Sequence, residues 1–371
     1  GEITRIIHYG DSHVAADILS GALRRKLQYC FGDSGPGYVL AGRPWPWYSR
    51  AGFTSRMSAG WHSDGLEDGS LATDGSLGLA GVSFSAQGPG EWITLTADWQ
   101  RAEIYLLEQP GGGAVDLLVD GVEYRSRVDL SSNRRAPLYI SLEGDDGPRR
   151  QSPLPYPFDS MPRTIEVRTV APGRVRILGA VLERRRAGIV YDALGINGAR
   201  ADRPLLWDWR LFASNLKRRD PDLIILAYGS NEVSDPGLDL EEYGRNLSTL
   251  LARIREAAPD ASVLVTSPPD RALRSGTGWI RARKMAALVA AQKRAALSSG
   301  AAFWDLFHAM GGSGSIEKWV GRRPPLAQPD RVHLTREGYN LAAASLFDEL
   351  MRGYQESRPK GHVRVRAALR R

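Results

Sequence analysis

The hydrophobic period changes near the start of the chain, and that change restricts the fold more than any other feature of the sequence. Residues 3–9 are a short β-branched and aromatic run that stops at Gly10, the pattern of a buried strand. Beyond it Val14, Ala15, Ile18, Leu19, Ala22, Leu23 and Leu27 recur at helical spacing and give one apolar face. Strand, tight turn, helix is therefore the expected opening. The alternation returns later: residues 189–194, 223–228, 262–266 and 302–306 read as strands, and residues 208–218, 241–258 and 280–298 as crossover helices. Residues 336–351 read as a closing helix. Strands joined by helices of that length lie parallel, in a sheet covered on both faces.

Between residues 61 and 186 the texture differs. Glycine-rich turns separate short alternating runs at 82–85, 91–95, 101–107, 115–119, 164–170 and 174–182, with no helical window. That spacing predicts an all-β sandwich or jelly roll. Because α/β chain flanks it on both sides, it reads as an insertion. The expected organisation is an α/β domain of residues 1–60 and 187–357, a β insertion of residues 61–186, and a basic tail of residues 358–371.

Composition excludes several classes. With 371 residues, 42% hydrophobic and 25% charged, the chain is long enough for a large core and unlike disordered, collagenous or coiled-coil sequences. No uncharged apolar run approaches the ~18 residues of a membrane helix. A single cysteine, Cys30, excludes an intramolecular disulfide framework and multi-cysteine metal sites, and leaves the compartment open. The net charge of +7 is concentrated at the end: Arg358, Lys360, Arg364, Arg366, Arg370 and Arg371 follow the last acidic residue, Glu356. The remainder is close to neutral, so no nucleic-acid footprint is expected. The tail reads as a solvated terminus that can also touch an anionic polymer or a membrane surface. No signal peptide is visible, and an export signal is expected to have been removed ahead of the opening strand.

Four short segments carry chemistry. Gly10-Asp11-Ser12-His13 stands where the first strand gives way to a helix, so Ser12 is delivered to the C-terminal edge of a parallel sheet. Ser12 can be a nucleophile there or simply cap the helix. Asp330-Arg331-Val332-His333 precedes the last helix, and an aspartate three residues before a histidine on a turn can reach the imidazole. A serine needs such a base, and the base works best when a carboxylate fixes its tautomer. Gly229-Ser230-Asn231-Glu232 follows a strand, and Asn231 can offer its amide to an oxyanion or make an ordinary asparagine turn. In Gly195-Ile196-Asn197-Gly198-Ala199, Gly198 permits close approach of a backbone N–H, or serves the turn alone.

Taken in order, these segments resemble the serine, glycine, asparagine and histidine blocks of the SGNH hydrolases, a branch of the GDSL-type esterases. The resemblance implies a three-layer α/β/α, flavodoxin-like domain. It implies Ser12 as nucleophile, His333 as base and Asp330 as its orienting carboxylate. The oxyanion hole would comprise the Ser12 N–H, the Gly198 N–H and the Asn231 side chain. Glu232 stands where many members have aspartate, and His13 replaces the leucine of the GDSL form. The helix carrying Arg24, Arg25 and Lys26, the run Phe31-Gly32-Asp33-Ser34-Gly35-Pro36-Gly37, His13 and the β insertion resemble bacterial peptidoglycan O-acetylesterases and related carbohydrate esterases. Those enzymes carry a β-sandwich similar to a carbohydrate-binding module, and a periplasmic or secreted location follows from that likeness.

No Gly-x-Ser-x-Gly elbow, phosphate loop, dinucleotide fingerprint or His-Glu-x-x-His motif occurs, so neither metal nor cofactor is expected. Trp45, Trp47 and Tyr48 can stack on sugar rings or form a packed loop. The favoured expectation is removal of O-acetyl groups from a glycan, peptidoglycan first. Acetyl esterase or acetyltransferase action on another polysaccharide, a lipid esterase, and a glycan-binding protein without catalysis are the alternatives. Ser34 repeats the Gly-Asp-Ser tripeptide but lacks the strand-to-helix setting and is not expected to react.

Overall fold

A computed structural model describes residues 2–45, 48–65, 74–144 and 162–357. Five strands form a wholly parallel sheet in the spatial order Gly188–Gly195, Ile3–Gly10, Leu223–Ala227, Ser262–Thr266 and Ala302–Trp304. The first strand of the chain is thus second in the sheet, and the winding direction reverses on either side of it. In open parallel sheets that reversal opens a crevice at the carboxyl ends of the strands, where ligands bind.

Both faces of this sheet are covered, which is why its strands read as continuous apolar runs. Ile6, Ile225 and Leu264 point to one face and meet Leu23 and Leu27 of helix Leu19–Phe31 and Leu346 and Phe347 of helix Arg336–Ser357. Their neighbours Ile7, Ile224, Val263 and Val265 point the other way, with Phe212, Leu247 and Leu288 of helices Trp209–Arg219, Leu240–Ala257 and Met285–Ser298. The period of two along the strands and the helical stripes fit each other. No helix among the described residues is long and apolar enough to cross a membrane.

After helix Leu19–Phe31 the chain leaves the parallel sheet and returns only at Gly188–Gly195. The excursion builds two antiparallel sheets. One runs Ala136–Glu143, Arg101–Glu108, Arg174–Glu183, Ser83–Gln87, His62–Asp64, with Gly37–Val39 also on Arg174–Glu183. The other runs Phe53–Met57, Trp92–Ala97, Arg163–Thr169, Ala114–Val119, Val122–Asp129. Ile104, Leu106 and Ile177 of the first and Ile93, Leu117, Ile165 and Val167 of the second are buried in one apolar cluster. Gly37–Val39 and Phe53–Met57 join these sheets although they lie before residue 61, where the sequence pattern places the start of the insertion.

Two helical expectations are corrected. The opening helix is broken into Ser12–Ala15 and Leu19–Phe31, because Asp17 takes a left-handed conformation (φ 50°) and its carboxylate is held by Arg24, Arg50 and the Ser20 hydroxyl. The helix expected from residue 280 starts at Met285. Ile280 belongs instead to a hairpin of Ala272–Ser275 with Gly278–Arg281. The basic tail lies outside the described residues.

A buried ion network joins the two parts. Arg219, at the end of helix Trp209–Arg219, bonds Asp192 of the parallel sheet at 2.6 Å and Glu183 of the antiparallel sheet at 2.7 Å. Burial works against the Arg219 charge, yet the two carboxylates raise its pKa above the ordinary arginine value. Removing one partner of such a network strands buried charge at a cost of about 3–5 kcal/mol. Arg219→Leu is expected to lose stability on that scale in denaturant unfolding; a loss below about 1 kcal/mol would show that the network contributes little.

Candidate active site

Ser12 opens the four-residue helix that follows the strand Ile3–Gly10, and the cap of that helix is Asp11, whose Oδ1 accepts from the His13 N–H at 3.0 Å. The capping role open to Ser12 is therefore filled by its neighbour, and the serine hydroxyl is left for another partner. It lies 2.9 Å from His333 Nε2. His333 Nδ1 lies 2.7 Å from Asp330 Oδ2, while Asp330 Oδ1 accepts the backbone N–H groups of Val332 and His333 at 2.9 and 3.0 Å. Partial burial pushes the Asp330 carboxyl up, but the bonds from His333 and those N–H groups outweigh it and hold it below the usual aspartate value. An ionised carboxylate favours the tautomer with hydrogen on Nδ1 and leaves Nε2 as the acceptor facing Ser12.

The glycine and asparagine segments flank this chain of bonds. Gly195 ends its strand level with Gly10, and a Cβ there would fall 2.2 Å from the Ala15 nitrogen, so only glycine lets the short Ser12 helix rest on the strand end. Gly198 is exposed in the turn that follows and has φ of 71°. Asn231 donates from Nδ2 to the Ala199 carbonyl at 2.9 Å, which ties its loop to the Gly198 turn and leaves the second amide hydrogen available. Glu232 makes a second tie, accepting the Ala201 N–H at 2.8 Å. The glutamate that departs from the aspartate of many relatives thus spans between the two loops.

Further polar groups surround these bonds, and of these Tyr339 and Arg271 had no sequence pattern to announce them. His13 is buried, with Nδ1 2.9 Å from the Tyr339 hydroxyl, Nε2 3.4 Å from Ser230 Oγ, and its ring centroid 5.4 Å from that of His333. Burial, then His333 and Arg271, lowers its pKa to about 3, so it packs against the catalytic candidates as a neutral ring. Arg271 donates to the Ser230 carbonyl. Burial also lifts the carboxyls of Asp11 and Glu232, each to about 7.

Ser34, Trp45 and Tyr48 are engaged in other contacts. Ser34 is buried and donates to the Arg186 carbonyl at 2.6 Å, so its hydroxyl is occupied. Trp45 is packed in the core, edge-to-face against Tyr48, and Tyr48 accepts the Leu40 N–H at 3.3 Å. Of the two uses open to this cluster, the packed loop is the one that accounts for Trp45. Trp47 lies outside the described residues. Among the described residues no three metal-ligating side chains cluster.

The chain is similar to known proteins. Residues 159–341 match the model of the GDSL-like lipase/acylhydrolase family, a span that includes Gly198, Asn231, Asp330 and His333. A solved peptidoglycan O-acetylesterase is 25% identical, with 96% of this chain and 93% of that one covered and a TM-score of 0.78. Family two carbohydrate esterases from Clostridium thermocellum (12% identity, 80% and 99% covered, TM-score 0.35) and Cellvibrio japonicus (11%, 81% and 97%, 0.32) also match. No curated protein sequence matches the chain.

The raised Glu232 pKa has a signed consequence. A carboxyl that binds its proton more tightly when folded adds stability at low pH, and that contribution is lost as pH rises from its ordinary value of 4.5 toward 7. Glu232→Gln keeps an oxygen for Ala201 and carries no charge. Its melting temperature relative to the parent is expected to rise between about pH 5 and pH 8; a difference that is the same at both would contradict the buried-carboxyl reading.

Proposed function

We propose that the chain, which matches the GDSL-like lipase/acylhydrolase model over residues 159–341, is an esterase of that family that removes O-acetyl groups from a glycan, with peptidoglycan as the favoured substrate. The observation that carries this reading is the continuous bond chain from Ser12 Oγ through His333 to Asp330, at 2.9 and 2.7 Å. The likeness to a peptidoglycan O-acetylesterase over nearly the whole of both chains supports the choice of substrate. Location outside the cytoplasm, where that polymer lies, is part of the same proposal.

In the proposed reaction His333 Nε2 takes the proton as Ser12 Oγ attacks the acetyl carbonyl. The negative oxygen that develops is met by the N–H groups of Ser12 and Gly198 and by the Asn231 amide, donors fixed before the substrate arrives. Collapse of the intermediate returns the proton to the departing sugar hydroxyl and leaves acetyl on Ser12. Water, activated by the same imidazole, then releases acetate. Transfer to a second sugar hydroxyl would use the same groups with water excluded.

Residues 61–186 would hold the polymer near Ser12, raising the local concentration of acetyl groups without adding a catalytic residue. Trp92 and Tyr124, partly exposed on the antiparallel sheets, are the stacking faces best suited to that use.

Acetate release from O-acetylated peptidoglycan, xylan and exopolysaccharide, with a soluble aryl acetate as reference, tests the reading. Peptidoglycan is expected to be deacetylated, with Ser12→Ala and His333→Ala inactive and Asp330→Asn slowed about 10³–10⁴-fold. Cleavage of the aryl acetate without release from any glycan would overturn the substrate assignment. Near-full activity of Asp330→Asn would reduce the triad to a dyad.

A further inference from the structure

The hairpin of Ala272–Ser275 with Gly278–Arg281 is an addition between a parallel strand and its crossover helix, and it lies against the candidate active site. The Ala272 N–H donates to the carbonyl of Arg331, which stands between Asp330 and His333, at 3.0 Å. Arg271, at the base of the hairpin, donates to the carbonyl of Ser230, next to Asn231. The hairpin, the segment from Gly314 to Glu317, and Arg331 enclose a pocket of about 400 Å³. It therefore borders both the loop that holds the base and the loop that holds the amide.

The charges in its wall are unequally spent. Asp270 is occupied by the backbone N–H groups of Gly314 and Ile316, at 2.9 and 3.0 Å. Glu317 takes Arg331 Nε on both oxygens, at 2.8 and 3.0 Å, and the Arg331 guanidinium lies 4.9 Å from the Trp279 ring centre. Both acids and one arginine are thus committed. Arg271 and Arg281 are in no ion pair among the described residues, and the buried Arg271 Nε has no hydrogen-bond partner there. Arg281 packs so closely on Gly314 that a Cβ at that position would fall 3.0 Å from the guanidinium carbon. Two cationic groups on a fixed, aromatic-backed wall form a receptor for a planar anion, and guanidinium pairs with carboxylate through two parallel bonds.

We propose that this pocket is a subsite for a carboxylate carried by the substrate glycan, an inference that rests on the glycan esterase reading and names what its polymer must bear. The carboxylate belongs to a sugar close to the acetylated one, because the pocket wall holds Arg331, which lies between Asp330 and His333 in the chain, and Arg271, which bonds the carbonyl next to Asn231, and does not contain Ser12. Its source is either an ether-linked acid such as the lactyl group of muramic acid or a uronic acid.

Calorimetric binding to the Ser12→Ala chain separates this inference from turnover. Oligosaccharides containing N-acetylmuramic acid, glucuronic acid, or only neutral N-acetylglucosamine are the probes. At least one acidic probe is expected to bind about tenfold more tightly than the neutral one of equal length, and the tighter of the two identifies the source. Arg281→Gln, with melting and circular dichroism as checks of folding, is expected to erase that preference, and Arg281→Lys to keep part of it. Equal affinity for all three probes, or a preference that survives Arg281→Gln, would overturn the subsite. Failure of the wild-type chain to release acetate from glycans would overturn the esterase reading, whatever these affinities are.

Discussion

The constraint on which the rest depends is the register of three parallel strands at one end. Gly10 pairs with Gly195 on one side and Ala227 on the other, so three strands finish level and their loops emerge side by side. One loop brings Ser12, the next Gly198, the third Asn231. No side-chain interaction is needed to gather them; backbone hydrogen bonds in the sheet do it, and the apolar layers on both faces hold the register. The fourth segment, with Asp330 and His333, comes from just ahead of the helix Arg336–Ser357, which packs on the helix following Ser12.

Holding polar loops at that edge carries an electrostatic cost, which buried groups absorb. Asp11 and Glu232 sit out of water with raised pKa values, and His13 sits there with a lowered one. Each is engaged by hydrogen bonds: Asp11 caps the Ser12 helix within its own segment, while the bonds of Glu232 to Ala201 and of His13 to Tyr339 and Ser230 join separate loops. Such groups contribute position more than stability, because an unpaired buried polar atom is expensive and a paired one has few alternative geometries.

The parallel strands and crossover helices were legible because burial on both faces leaves a dense apolar signature. Val122–Asp129 was not picked out, although Val122, Tyr124 and Val128 alternate with Glu123, Arg125 and Asp129; it is an edge strand exposed along nearly its whole length and carries too few apolar residues to stand out as a buried run. Ala136–Glu143, another edge strand, is half-exposed for the same reason. The hairpin before Met285 was hidden by apolar spacing at Ile280 that mimics a helix, although the glycines at 276 and 278 are ordinary turn residues. At the site, Ser12, Gly198, Asn231, Asp330 and His333 could be picked out because each follows a strand or precedes a helix at the sheet edge. Tyr339 and Arg271 could not, and His13 was singled out without its role, because their partners are distant in sequence and chosen by packing alone.

The central claim is that Ser12, activated by His333, carries the acetyl group between glycan and water. Rapid acid quenching during turnover of an O-acetylated glycan, followed by peptide mapping, measures this directly. One acetyl group on the peptide containing Ser12, absent from Ser12→Ala, is the predicted result. Acetate release with no acetyl on the protein, or with acetyl recovered on another residue, would contradict it.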